Sequence, residues 1–197
     1  MSTTQPIRSL EELQQLKNFY YLQEPNPRNY TLITLGLNTA LRISDLLQLT
    51  WGDVYDFETQ KFRYHITVTE QKTGKENRIA LNQNAQQALL LYQKYFPAVS
   101  PQDYLFPGKG HADIPLSRSQ AFRRIQAFRI RSEAAKKCLL SHKVSCHSLR
   151  KTFGYHAWKC GTPPAVLMEI YNHSSFEITK RYLGIEQDDK DSVFLEI

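Results

Sequence analysis

Hydrophobic residues recur at helical spacing along most of the chain, interrupted by one stretch of strand character. Leu10, Leu13, Leu16 and Tyr20 form the first such stripe, behind the capping-box sequence Ser9-Leu10-Glu11-Glu12. Pro25-Asn26-Pro27 ends it. Asn29 is the expected cap of a second, strongly apolar helix through Leu32, Ile33, Leu35 and Leu37. A third helix is expected from about Ser44-Asp45 to Thr50, with Asp45 in the first turn, where the helix dipole favours a negative charge.

The pattern then changes. Lys61 to Thr69 is rich in β-branched and aromatic residues, Asn77 to Leu81 can pair with it, and Thr73-Gly74-Lys75 supplies a turn. Phe62 to Leu81 therefore reads as a β-hairpin. Helical spacing returns with Ala85, Ala88, Leu89, Tyr92 and Phe96, stopped by Pro97. A basic helix starting at Ser117 or Ser119 carries Arg123, Arg124, Arg129 and Arg131. Another runs from His147 to Lys159 and stops at Gly161; Thr162 is the expected cap of the next, with Pro163 in its first position. Ser174 with Glu177 opens a last short helix that ends at Gly184, where a left-handed cap belongs. There are no repeats and no low-complexity linkers. The fold class is mainly α with a small antiparallel β-sheet, in one domain.

Composition narrows the partners. In 197 residues, 25 Lys and Arg stand against 19 Asp and Glu, a formal charge of +6. That excess favours an acidic partner such as nucleic acid or an anionic membrane surface. The N-terminus lacks the apolar segment of a secretory signal, and no run approaches the ~20 apolar residues of a membrane span. Three cysteines without framework spacing point to a reducing compartment, so a cytoplasmic location is expected.

Four stretches concentrate chemically capable side chains: TALRISDLLQL around Arg42, EQKTGKENRIAL around Lys72, HSLRKTFG from His147 to Gly154, and NHSSFEITKRYLG around His173 and Tyr182. His147 and Arg150 are three apart and share a helix face. His173 and Tyr182 are nine apart and would be out of phase on one continuous helix. A cap at Ser174 places His173 just outside the helix and Tyr182 near its end, so the two can converge.

These stretches resemble the catalytic boxes of the tyrosine recombinase (phage integrase) family: Arg42 with Asp45, Lys72, His147-Ser148-Leu149-Arg150, His173 and Tyr182, in the family's order and spacing. The resemblance covers about residues 5 to 185. Two positions depart from the pattern: Ala40 stands where a glycine is usual, and Tyr171-Asn172-His173 replaces a common Leu-Gly-His.

The resemblance implies a recombinase catalytic domain, a helical bundle with a three-stranded sheet holding Lys72. It implies site-specific cutting and rejoining of double-stranded DNA (integration, excision or inversion) through a 3′-phosphotyrosine, with no cofactor and no metal. Arg42 and Arg150 would hold the non-bridging phosphate oxygens with forked, permanently charged donors, and His173 would add a third donor. Tyr182 would be the nucleophile, His147 would take its proton, Lys72 would protonate the departing 5′-oxygen, and Asp45 would orient Arg42. Arg118, Arg123, Arg124 and Lys151 are the expected DNA contacts.

Family members also carry an N-terminal DNA-clamping domain. About 40 residues before Arg42 leave no space for one, so a compact single-domain recombinase or a catalytic fragment is expected, with DNA binding that is weaker and more salt-dependent. The resemblance further implies a tetramer on two DNA sites, with accessory DNA-bending or directionality proteins as further partners. In such an assembly the apolar tail residues Val193, Phe194, Leu195 and Ile197 would dock on a neighbour.

Other readings of the same residues remain open. Tyr182 could be a half-buried core tyrosine, and Lys75, three residues from Lys72, could take its role. Cys138, His142, Cys146 and His147 cluster without the spacing of a zinc clamp. A type IB topoisomerase would use the same chemistry without exchanging strands, a non-catalytic relative would bind DNA without a covalent adduct, and a phosphate-directed nuclease would not need Tyr182.

Overall fold

The computed structural model of the chain describes residues 4–109, 111–131, 144–185 and 187–195. Ser9 caps α1 (Leu10–Asn18), its hydroxyl accepting from the Glu12 amide. The helix continues as a π-turn over Phe19–Gln23, which buries Phe19 and Tyr20. α2 (Pro27–Asn38) is the central helix, buried along most of its length and packed on both α5 (Gln83–Gln93) and α7 (Cys146–Lys159). Its cap is Asn26, not Asn29: the Asn26 side chain accepts from the Asn29 amide, and Pro27 takes the first helical position, where its missing N–H costs nothing.

The expected helix over 44–50 stops early as α3 (Ile43–Leu46), and a separate short helix, α4 (Trp51–Val54), follows it. Thr50 starts the second helix, its amide and hydroxyl both bonding the Asp53 carboxylate. The strands form three separate antiparallel pairs among the described residues, rather than one three-stranded sheet. β1 (Tyr55–Asp56) pairs with β2 (Lys61–Phe62), and β5 (Pro107–Gly108) with β6 (His111–Pro115). β3 (His65–Thr69) and β4 (Glu76–Ala80) form the hairpin, in register from His65↔Ala80 to Thr69↔Glu76. Ile66, Val68 and Ile79 face the core, so the tip at 70–75 projects in a fixed direction.

The basic helix is α6 (Arg118–Arg131). α7 follows, capped by Ser145, whose hydroxyl accepts from the His147 amide. The caps of the last helices fall one residue later than expected. Pro163 caps α8 (Pro164–Ile170), and Ser175 caps α9 (Phe176–Leu183). α10 (Gln187–Leu195) ends the described chain with Val193, Phe194 and Leu195 exposed. Among the described residues no helix is long and apolar enough to cross a membrane.

Three apolar clusters hold the elements together. The largest joins α2, α3, the hairpin and α5 around Trp51 and Tyr92. A second seats α1 and the π-turn on α2 and α7. The third, Ala40, Leu167, Tyr171 and Leu183, lies where α7, α8 and α9 meet, and Tyr182 packs against it half-buried.

Candidate active site

The centre of the site is Arg150, on α7 and 1% exposed. Its guanidinium donates to the Ala40 carbonyl and, at 2.9 Å, to the Tyr171 carbonyl. It also lies over the Tyr171 ring, 4.6 Å from the centroid. Both carbonyls are turned inward by unusual backbone. Ala40 has φ +55° and Asn172 has φ +52°, two of only three non-glycine residues with positive φ among the described residues. These are the two places where the resembling family carries glycine, the residue that takes this conformation without strain. Tyr171 closes the arrangement by donating its hydroxyl to the Arg150 carbonyl at 2.8 Å. This needs Gly154 one turn along α7, since a Cβ there would lie 2.2 Å from the Tyr171 oxygen.

The other site residues gather around this framework. Arg42, Lys72, His147, His173 and Tyr182 line one open cleft of about 700 Å³ with Arg118. The Tyr182 ring lies 4.6 Å from that of His173 and 6.0 Å from that of His147, between centroids, and 5.8 Å from the Arg150 guanidinium. His173 sits outside α9, held through its backbone amide to the Met168 carbonyl and through Nδ1 to the Thr179 hydroxyl at 3.0 Å. A neutral His173 that accepts the Thr179 hydroxyl at Nδ1 carries its ring proton on Nε2. Lys72 and Lys75 are both exposed and both line the cleft, so the hairpin offers two amines.

Three placements correct the sequence reading. Asp45 does not orient Arg42. It points into the core, 1% exposed, where Oδ1 accepts from the Gln71 amide at 3.1 Å and so anchors the hairpin tip. Arg42 is paired instead with Glu70, Nη1 to Oε2 at 2.5 Å, a carboxylate buried completely. Glu70 also accepts from the Thr73 hydroxyl at 2.7 Å, so one side chain ties Arg42 to the turn that carries Lys72. Its position on the hairpin gives no local sequence sign of this, because the partner is 28 residues away. Lys151, expected among the DNA contacts, is not on the open surface. It is 8% exposed, lies 5.8 Å from the Tyr182 ring centroid, and donates to the Thr4 carbonyl.

Of the remaining expected contacts, Arg118 belongs to the cleft, whereas Arg123 and Arg124 line a separate polar hollow with Glu24 and Asn29. Cys138 and His142 lie outside the described residues, as do the side chains of Arg129 and Arg131.

The electrostatics follow from crowding cations around half-buried rings. Burial first, then Arg150 and Arg42, pushes His173 down to about 4. Burial, with Arg150, Lys151, Arg42 and Lys72, also lowers His147. Both imidazoles are therefore neutral near pH 7, as a proton acceptor must be. Burial alone would raise Glu70, but the Thr73 hydroxyl and the Arg42 guanidinium outweigh it and hold the carboxyl below its ordinary value.

A family model described as the phage integrase family matches residues 9–188, and the chain belongs to that family of tyrosine-type site-specific recombinases. The chain is 41% identical over 188 residues to the probable integrase/recombinase YoeC of Bacillus subtilis (strain 168), covering 95% of this chain and 93% of that one. It is 27% identical over 161 residues to the tyrosine recombinase XerD of Corynebacterium glutamicum, matching 82% of this chain but only 49% of the relative. In fold it is similar to the Tn1549 transposon integrase in complex with transposon right end DNA, with a TM-score of 0.71 at 22% identity, covering 100% of this chain and 66% of that one.

Two outcomes follow from the buried groups. Glu70→Ala leaves Arg42 without its buried partner and is expected to cost about 3–5 kcal/mol of folding stability, measured by denaturant unfolding near pH 7; a loss under 1 kcal/mol would contradict the pairing. The histidines set a pH dependence. Their folded values are depressed, so the unfolded chain takes up protons first, and stability present above about pH 6.5 is lost as pH falls toward about 4. A His147→Asn, His173→Asn double variant should lose less stability across that window; an equal loss in both proteins would assign it elsewhere.

Proposed function

We propose that this chain cuts and rejoins double-stranded DNA, with Tyr182 attacking a backbone phosphate in the cleft. The observation that carries this reading is the convergence on one cleft of Arg42, Lys72, His147, His173 and Tyr182, drawn from distant parts of the chain. The DNA bound by a fold relative supports the substrate class.

A phosphodiester is anionic and repels a nucleophile, and its transition state gathers charge on the non-bridging oxygens. Arg42, held at one corner by Glu70, keeps its remaining donors for those oxygens. Arg150 supplies a fixed positive charge close to the Tyr182 ring; two of its nitrogens already serve the carbonyls that build the site. His173 donates from Nε2. His147, neutral, takes the phenol proton as the bond from the Tyr182 oxygen to phosphorus forms. The bond from phosphorus to the 5′-oxygen breaks, and Lys72 or its neighbour Lys75 protonates the leaving oxygen. The ester is conserved in the 3′-phosphotyrosine, so a 5′-hydroxyl from another strand reverses the step. Arg118, beside the cleft, contacts the flanking backbone.

Incubation with a library of nicked duplexes of randomised sequence, followed by denaturing electrophoresis, should give a covalent protein–DNA band that Tyr182→Phe abolishes while binding persists. Arg42→Ala should slow the band's formation by about 10²–10³-fold. A band undiminished in Tyr182→Phe would contradict the assignment.

We also propose that the exposed apolar end of α10 docks on a second copy when both are on DNA. Val193, Phe194 and Leu195 are 57%, 80% and 86% exposed, which is costly for three neighbouring apolar side chains unless something covers them. Deleting residues 191–197 should reduce higher-order complexes in a native gel while single-copy binding stays. Unchanged assembly would remove this role.

A further inference from the structure

Residues 4–8 precede α1 and bond to both helices that carry the reacting groups. Three tethers reach α7. Lys151 Nζ donates to the Thr4 carbonyl, the Ile7 amide donates to Thr152 Oγ1 at 2.9 Å, and His156 Nε2 donates to the Ile7 carbonyl at 2.9 Å. The fourth reaches α9: Arg8 Nη2 donates to the Gly184 carbonyl, while its guanidinium rests 5.2 Å from the Tyr155 ring centroid on α7. Gly184 is the left-handed cap of α9, at φ +61°, and a Cβ there would lie 3.0 Å from the ring carbons of Pro6. The segment thus bridges the helix of Arg150 to the end of the helix of Tyr182. It also walls a cavity of about 740 Å³ on the side of Tyr182 that Lys151 occupies, lined by Thr4, Gln5, Lys151, Tyr182 and Gly184.

We propose that residues 4–8 form a strap that fixes the reach of the nucleophile, with Arg8 as its positioning residue. The inference rests on the reading of Tyr182 given above. α9 has eight residues, too few to hold its own direction, so its orientation is set by what grips its ends. Leu183 at the C-terminal end is buried in the cluster around Tyr171, and the N-terminal end is held by the His173–Thr179 bond. At the other end the last carbonyls lack helical partners and carry the negative pole of the dipole. Arg8 bonds the carbonyl just past that pole, at Gly184, two residues beyond Tyr182. Without it the end of α9 keeps the non-directional packing of Leu183 but loses its hydrogen-bonded anchor, and a displacement of about 1 Å at a reacting group is enough for a rate loss of up to about 10²-fold.

The test compares wild type, Arg8→Ala, Arg8→Lys and Pro6→Ala as full chains on a nicked duplex enriched from the library. The readouts are single-turnover adduct formation at saturating DNA, DNA affinity and melting temperature. Arg8→Ala should slow adduct formation about tenfold with affinity within twofold of wild type. Arg8→Lys, which keeps a cationic donor for the Gly184 carbonyl, should recover most of the rate. Pro6→Ala, which leaves that bond but removes the packing against Gly184, should show a smaller loss of the same kind. Adduct formation at the wild-type rate in Arg8→Ala overturns the strap alone. So does a rate loss matched by lost affinity, or one that follows melting temperature in all three variants without rescue by lysine. A wild type whose adduct does not depend on Tyr182 overturns the underlying reading instead.

Discussion

The guanidinium of Arg150 is a full positive charge at 1% exposure, and the structure around the cleft is organised by the need to compensate it. An unpaired buried charge costs several kcal/mol, so the groups facing it are fixed. They are the Ala40 carbonyl from the end of α2, the Tyr171 carbonyl from the end of α8, and the face of the Tyr171 ring. Each carbonyl adjoins a residue in left-handed backbone, a strain of about 1–2 kcal/mol for a residue other than glycine. Satisfying one side chain thereby draws together three chain segments, and each carries a proposed site residue close by: Arg42 follows Ala40, His173 follows Asn172, and His147 precedes Arg150 by one helical turn.

The same compensation shapes the chemistry. Burial and the cations Arg150, Arg42 and Lys72 act on both imidazoles, and Lys151 on His147 as well, which keeps them neutral. Among the described groups reaching this centre, Glu70 is the negative counterweight, and it is spent on Arg42 and Thr73. The cleft is therefore short of negative charge, which a phosphate would supply, and in the proposed reaction these cations would meet the charge developing on it. The protein bears the repulsion of like charges when empty and gains when the anion binds.

Much of this was legible in the sequence, for identifiable reasons. Arg42, Lys72, His147, Arg150, His173 and Tyr182 could be singled out because their order and spacing match the family pattern, and all but the buried Arg150 line one cleft. The two departures from the family pattern, Ala40 and Asn172, were visible as substitutions; their importance appears only with the backbone angles and the carbonyls beside them. Cap positions slipped by a residue, from Thr162 to Pro163 and from Ser174 to Ser175, where no side-chain cap bond pins the helix start. The larger misses were tertiary. Asp45 stood at helical spacing from Arg42, but the buried partner came from the hairpin as Glu70. Lys151 looked like a free surface cation, yet it lies beneath the N-terminal segment, a contact across 147 residues that no local pattern encodes.

The central claim is that this framework makes one tyrosine among 11 a nucleophile. The direct measurement is to isolate the covalent protein–DNA adduct, digest the DNA with nuclease and the protein with trypsin, and locate the residual nucleotide by mass spectrometry. The account predicts the nucleotide on the peptide that begins at Tyr182, attached through phosphate to the phenolic oxygen. A nucleotide on any other residue would contradict it.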